Sequence, residues 1–301
     1  MKQTIISLLV LAALVGCSKS ENEDIHPAGN VPITLNAGMP TAAIKSGSRA
    51  VIETGNKFTA GVAGWETDGT VDYLLSENWY TTAEITADPT EQPVNLKEPQ
   101  VYNANDDIKT YMKAWHPAGK PSNGMVTFDN TDGTVDALFA KAAVGSKQDN
   151  TGKILQFKHK TTQLKFKVVA DASLDTETTV KGITVLDVEL PTGFDLANDA
   201  LTHAAKGNLN VPGISGNEVI TGTAAAVGAP VMIKPLSGNT VKLKIQTSAA
   251  TFDEVVATID GDTDFVEGKA YTITLTFKQQ AVDLTATVDE WISGSGSAEV
   301  E

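Results

Sequence analysis

The sequence predicts an all-β protein built as two tandem β-sandwich domains. Three observations carry that expectation. Apolar and polar residues alternate in short runs from Val31 to Val288, the period of strands with one buried face, and no segment sustains a helical period over a dozen residues. Gly, Asn and Asp clusters break these runs at the spacing of sandwich strands. The 301 residues, less a leader, are too many for one small core and suit two units of about 100 to 150 residues.

In chain order, Met1 and Lys2 give a short cationic start, and Ile5 to Leu14 is apolar but too short to span a bilayer. Leu14-Val-Gly-Cys17 follows at once, so residues 1–16 are expected to be a lipoprotein signal peptide and Cys17 the acylated residue. A plain secretory signal is the other reading. Cys17 is the sole cysteine, so a lipidated chain has no thiol left for a disulfide and depends on packing and sheet hydrogen bonds. Ser18 to Asp24 is polar and charged, as a solvated tether would be.

Val31, Ile33, Leu35 and Ala37 alternate with Pro32, Thr34 and Asn36, which predicts a strand with one buried face. Pro32 has no N–H to give a ladder, so the strand is expected at a sheet edge. The chain then passes through small residues to Arg49, the sole arginine, followed by Ala50. An exposed loop of this composition is where proteases cut, although a lone arginine in a loop also serves as a solvated charge. Residues 17–49 therefore read as a tether carrying one strand.

Residues 50–172 are expected to form the first sandwich. Its strands are Lys57 to Trp65, Val71 to Leu75, Asn78 to Ile85, Ile108 to Trp115 and Met125 to Phe128, with Asp136 to Ala143 a strand or one helical turn. Asp88 to Pro99 holds three prolines and reads as a loop. Lys153 to Asp171 gives two strands, with Leu164, Phe166 and Val168 on one face. The polar residues after Ala172 mark the domain boundary. Residues 173–301 then supply strands at Val180 to Glu189, Val219 to Thr223, Pro230 to Ile233, Val241 to Thr247, Glu254 to Ile259, Tyr271 to Phe277 and Val282 to Val288, before Trp291 and a Gly/Ser tail.

The chemistry-bearing residues are sparse. His26, His116, His159 and His203 have no partner at metal-ligand spacing, no nucleophile motif occurs, and the expectation is a non-enzyme with no cofactor and no metal. Asp260-Gly-Asp-Thr-Asp264 opens like a calcium loop but carries Phe265 and Tyr271 where that loop needs Gly and Glu, so it reads as a hairpin turn. Trp65, Trp79, Tyr80, Tyr111 and Trp115 would offer a sugar-stacking platform if they faced solvent together, or a core if they did not. A net charge of -14, which loss of Lys2 with the leader takes to -15, repels nucleic acid and anionic lipid.

Taken together, Cys17, the strand Pro32 to Gly38, Arg49 followed by Phe58-Thr-Ala-Gly-Val62, Phe157-Lys-His159 with Gln163-Leu-Lys-Phe166, Lys181-Gly-Ile-Thr-Val185 and Val288-Asp-Glu-Trp291 resemble the fimbrillins, the subunits of type V pili. The order of these segments carries the resemblance over nearly the whole chain. It implies two transthyretin-like sandwiches and a lipoprotein of the outer membrane and cell surface, built into a fimbrium with other pilin subunits. It implies cleavage of the Arg49-Ala50 bond by an arginine-specific protease. Release of the strand bearing Val31, Ile33, Leu35 and Ala37 follows, with donor-strand exchange into the vacated groove in support of adhesion or biofilm formation. Val282, Leu284, Ala286, Val288 and Trp291 form the candidate donor. The alternative is a monomeric surface lipoprotein that binds glycan through the first-domain aromatics.

Overall fold

Period-two patterning governs the whole backbone. The computed structural model describes residues 30–39, 52–174, 177–259, 262–279 and 281–289, and no helix occurs among them. The strands fall into two groups, each around its own hydrophobic cluster.

The first group comprises β1 (Leu35–Gly38), β2 (Lys57–Thr67), β3 (Trp79–Thr86), β4 (Gln92–Val94), β5 (Lys109–His116), β7 (Leu138–Gly145) and β8 (Ile154–His159), ordered β3-β2-β5-β7-β8-β1-β4. Strand β6 (Met125–Thr127) pairs elsewhere. The two ends of β8 pair differently: its C-terminal half meets β7, from Leu138↔His159 to Ala140↔Phe157, and its N-terminal half runs parallel to β1, from Asn36↔Ile154 to Gly38↔Gln156. Beyond β4, Leu96 bridges Ala83 of β3, so residues 88–102 form a strap that closes the array on itself. Phe58, Ala60 and Val62 of β2, Met112 and Ala114 of β5 and Leu155 and Phe157 of β8 point inward at every second position.

Three expectations change here. The strand that follows Pro32 is not an edge strand, because β1 pairs β8 on one side and β4 on the other. Pro32 is tolerated because the bonds to the strap are made by its neighbours, Ile33 N–H to Gln100 O (2.8 Å) and Tyr102 N–H to Val31 O (2.9 Å). The edge is β4, within the segment read as a loop, and it carries Pro93. Val71 to Leu75 forms no strand and folds into a loop over Trp65.

The second group comprises β9 (Thr162–Ala170), β10 (Thr179–Val188), β13 (Gly207–Asn210), β14 (Glu218–Val219), β15 (Ala225–Ala226), β16 (Val231–Ile233), β17 (Thr240–Thr247), β18 (Thr251–Thr258), β19 (Ala270–Lys278) and β20 (Ala281–Asp289). One sheet is ordered β13-β10-β17-β18 with β14 beside β10, the other β15-β9-β19-β20 with β16 beside β9. The division expected near Ala172 shifts on this pairing. Strand β9 runs parallel to β19 along its whole length, so it packs with the second group, and only Lys160 and Thr161 separate it from β8. The polar residues after Ala172 join the two sheets of one group rather than two groups. Likewise, β18 and β19, the strands on either side of the expected hairpin turn, do not pair with each other and lie in different sheets; Asp260 and Gly261 lie outside the described residues.

A third sheet joins the groups. Strand β11 (Pro191–Asp195) pairs β12 (Ala200–His203) on one side and β6 on the other, with Gly193↔Thr127 and Phe194↔Val126 in register. The approach is close enough that a Cβ on Gly193 would lie 2.1 Å from Val126 O. Behind it Trp65, Trp115 and Phe139 of the first group form a buried cluster with Phe194 and Leu196 of the β11 segment. Lys113 of β5 reaches across the same junction. Its Nζ donates to Leu196 O and to Asp199 Oδ1 (2.5 Å) and sits 3.5 Å above the Tyr73 ring.

Candidate functional site: the slot of the first strand

The slot between β8 and β4 is built from backbone on two sides and apolar side chains beneath. Its occupant is residues 31–39. Ile33 N–H bonds Gln100 O, Asn36 N–H bonds Lys153 O (2.9 Å) and Met39 N–H bonds Asp88 O (2.7 Å). Ile33, Leu35, Ala37 and Met39 are 7, 4, 2 and 0% exposed, and Val31 is half-buried against the same core. Burial of each large side chain contributes about 1.5 to 3 kcal/mol and each backbone bond about 1 kcal/mol. An empty slot therefore forfeits an amount comparable with the about 5 to 15 kcal/mol net stability of a typical domain.

Sequence patterning found Val31, Ile33, Leu35 and Ala37 and missed Met39, the deepest residue of the set. The signal was present, since Met39 continues the period two residues beyond Ala37. The rim is polar. Hydrogen bonds from the Thr90 hydroxyl and backbone hold the Asp88 carboxyl below the usual carboxylate range, while burial pushes the Tyr102 hydroxyl up to about 12.

The chain on either side of residues 40–51 is pinned to one spot. Met39 N–H bonds Asp88 O, and Gly55 N–H bonds the adjacent Ala87 O (2.7 Å). Ile52 joins the same core. Arg49 and Ala50 belong to the intervening segment and lie outside the described residues, as do Cys17 and Trp291.

Strand β20 lies at a sheet edge. It pairs β19 from Ala270↔Asp289 to Lys278↔Ala281, and its other side meets the rest of the fold through one bridge, Ile259↔Ala286. Ala286 is buried and Val282 packs half-buried on the second core. The side chains of Leu284 and Val288 lie outside the described residues.

The five aromatics do not share a face. Trp65 and Trp115 are buried, with Nε1 donating to Leu75 O and Gly119 O at 3.0 Å each. Trp79 lies flat over Gly64, where a Cβ would sit 2.2 Å from the indole. Tyr80 stacks on Trp115, with ring centroids 6.2 Å apart, and Tyr111 is paired with Trp65 across β2 and β5. Trp79 alone points to the other face; the face shared by Trp65, Tyr80, Tyr111 and Trp115 is covered by Val71, Tyr73 and Phe194, which buries both tryptophans and corrects the platform expectation. Among the described residues no three His, Cys, Asp or Glu side chains are grouped to hold a metal.

Comparison with known proteins gives three findings. No curated protein sequence matches the chain. The solved structures that resemble it include a protein of Bacteroides uniformis provisionally described as a cell adhesion protein, at 16% identity, covering 87% of this chain and 99% of that one with a TM-score of 0.58. A Bacteroides ovatus protein so described matches at 14% identity over 88% and 99% (TM-score 0.56), and a fimbrial assembly protein of Parabacteroides distasonis at 11% over 86% and 99% (TM-score 0.50). At such identities the likeness establishes a common fold. The Fimbrillin-like family model matches residues 47–291, most of the sequence and every described strand except β1, and the chain accordingly belongs to the fimbrillin-like family.

Proposed function

We propose that this chain is a structural subunit of a type V pilus. It is exported as a lipoprotein through Cys17, cut between Arg49 and Ala50 by an arginine-specific protease at the outer membrane, and polymerised with other pilin subunits by donor-strand exchange. The fibre supports adhesion or biofilm formation at the cell surface. The observation that carries this reading is the position of β1. It is buried on one face and paired along both edges, yet it joins the body only through the segment that contains the sole arginine. Covalent attachment keeps the slot self-filled, and a cut turns the strand into an exchangeable ligand.

Strand β20 of a second subunit suits that slot. Ile33, Leu35, Ala37 and Met39 occupy the four buried sites, and β20 offers Val282, Leu284, Ala286 and Val288 in the same order. The small third site discriminates, because the neighbouring β19, with Tyr271, Ile273, Leu275 and Phe277 in order, would bring Leu275 to it. Gly38 would be replaced by Thr287, where the nearest neighbours of an added Cβ are the flexible Gln156 and Glu91 side chains at 3.4 to 3.5 Å. In its own subunit β20 has one ladder neighbour, whereas the slot supplies two.

The deciding experiment is the N-terminal residue and mass of the protein taken from its native cell surface, beside an Arg49→Ala variant. A mature chain beginning at Ala50, with the variant absent from fibres, is the expected result. A surface chain that begins at lipidated Cys17, or fibres that form as well from Arg49→Ala, would overturn the proposal.

A further inference from the structure

Three residues beyond Arg49, the backbone is tied to a buried acid. Ile52 N–H donates to Asp136 Oδ2 at 3.0 Å, and Asp136 Oδ1 is 2.9 Å from His159 Nδ1, with both of those side chains at most 1% exposed. We infer that Asp136 is a positioning residue that holds the start of the mature chain in place once the first strand has left. The inference rests on processing at Arg49 as proposed above.

A carboxylate is costly to bury unless its oxygens are satisfied. Here one oxygen is met by an imidazole from the end of β8 and the other by a backbone N–H that no named strand contains. Both side-chain partners are fixed in structure that stays. Asp136 leads into β7, His159 pairs Leu138 across the β7–β8 ladder, and Lys160 N–H bonds Ala137 O at 2.8 Å. None of these contacts involves β1. Beyond Ile52, a turn closed by Asn56 N–H to Glu53 O (2.9 Å) is held on Ala87 by Gly55 N–H to Ala87 O and Ala87 N–H to Asn56 O (2.8 Å). Residues 52–56 thus carry ties to the body at both ends, and Ile52 contributes to the same core as the departing Ile33, Leu35 and Met39. The Asp136 bond sets the limit of what leaves: the strand goes, and Ile52 stays in the core that the next occupant will share.

The test is amide hydrogen exchange at Ile52 in the full chain, before and after treatment with an arginine-specific protease, with intact mass reporting the cut. In the wild type the Ile52 amide stays protected after cutting. In Asp136→Ala it exchanges about tenfold faster or more, the effect of losing one buried hydrogen bond to a charged group. Asp136→Asn, which keeps an oxygen facing Ile52, restores protection, and at each stage the Ile52 rate is read relative to the amides of the β2–β5 ladder, which Asp136→Ala leaves as in the wild type. Loss of Ile52 protection on cutting the wild type, or an Ile52 rate in Asp136→Ala equal to wild type, overturns the inference. Should Asp136→Ala fail to fold, the wild type before and after cutting and the Asn variant decide it. Should no cut occur at Arg49, the processing proposal falls, while the uncut Ala and wild-type chains still decide whether Asp136 holds Ile52.

Discussion

Lys113 occupies a place that lysines seldom take. Its side chain is 3% exposed, its ammonium rests on Tyr73, and burial lowers its pKa while the bond to Asp199 works against that shift. The residue links β5 to the β11–β12 turn, so Lys113→Met should keep the packing of the stem and strip the donor from Leu196 O and Asp199. A loss of about 2 kcal/mol is expected in urea unfolding, below the value for a fully buried pair because Asp199 is 31% exposed and turns to solvent. Glu218 gives a pH prediction. Backbone N–H groups of Ser215 and Gly216 hold its carboxyl down to about 2, well under the unfolded value. A depressed folded pKa contributes stability above the unfolded pKa and loses it as pH falls from about 4.5 toward 2. The melting temperature of Glu218→Gln should therefore drop less across that window than that of the wild type. Lys113 and Asp136 were not legible in the sequence as ties. Lys113 meets Asp199 and Asp136 meets Ile52 across more than 80 residues, and no local pattern encodes such a pairing.

At the scale of elements, what the sequence revealed followed from which interaction dominates each strand. Strands with one buried face, such as β8 and β17, announce themselves by alternation. The short strands β4, β11, β12 and β13 have little alternation to display and are held by their ladder partners, so they were missed. The edge rule for proline succeeded for Pro93 and failed for Pro32, because a proline also fits where its neighbours make the bonds. The size order of the slot is testable on β20 alone. A peptide with the sequence of residues 281–289 should bind the chain after the cut at Arg49, and the same peptide with Phe in place of Ala286 should bind at least about tenfold more weakly, since overpacking costs about 1 to 3 kcal/mol. Equal binding of the two peptides would remove the small third site from the proposal.

For the whole molecule, composition and turn spacing were enough to anticipate an all-β chain, whereas the seam was not foreseeable. It depends on β6 leaving its own group to pair β11, and on Gly193 lying against Val126 O. Gly193→Ala should force these strands apart at a cost of about 1 to 3 kcal/mol, and calorimetry should then resolve two unfolding transitions in place of one. The slot has a mechanical consequence as well. A strand seated between β8 and β4 and pulled along its own axis is loaded in shear, so the backbone bonds on both flanks resist at once and rupture demands their joint failure. A hairpin such as β19–β20, drawn from its free end, instead peels one rung at a time and yields at low tension. Tensile strength along a chain of such subunits would be set by the direction in which each strand enters its neighbour, more than by the number of bonds it makes there.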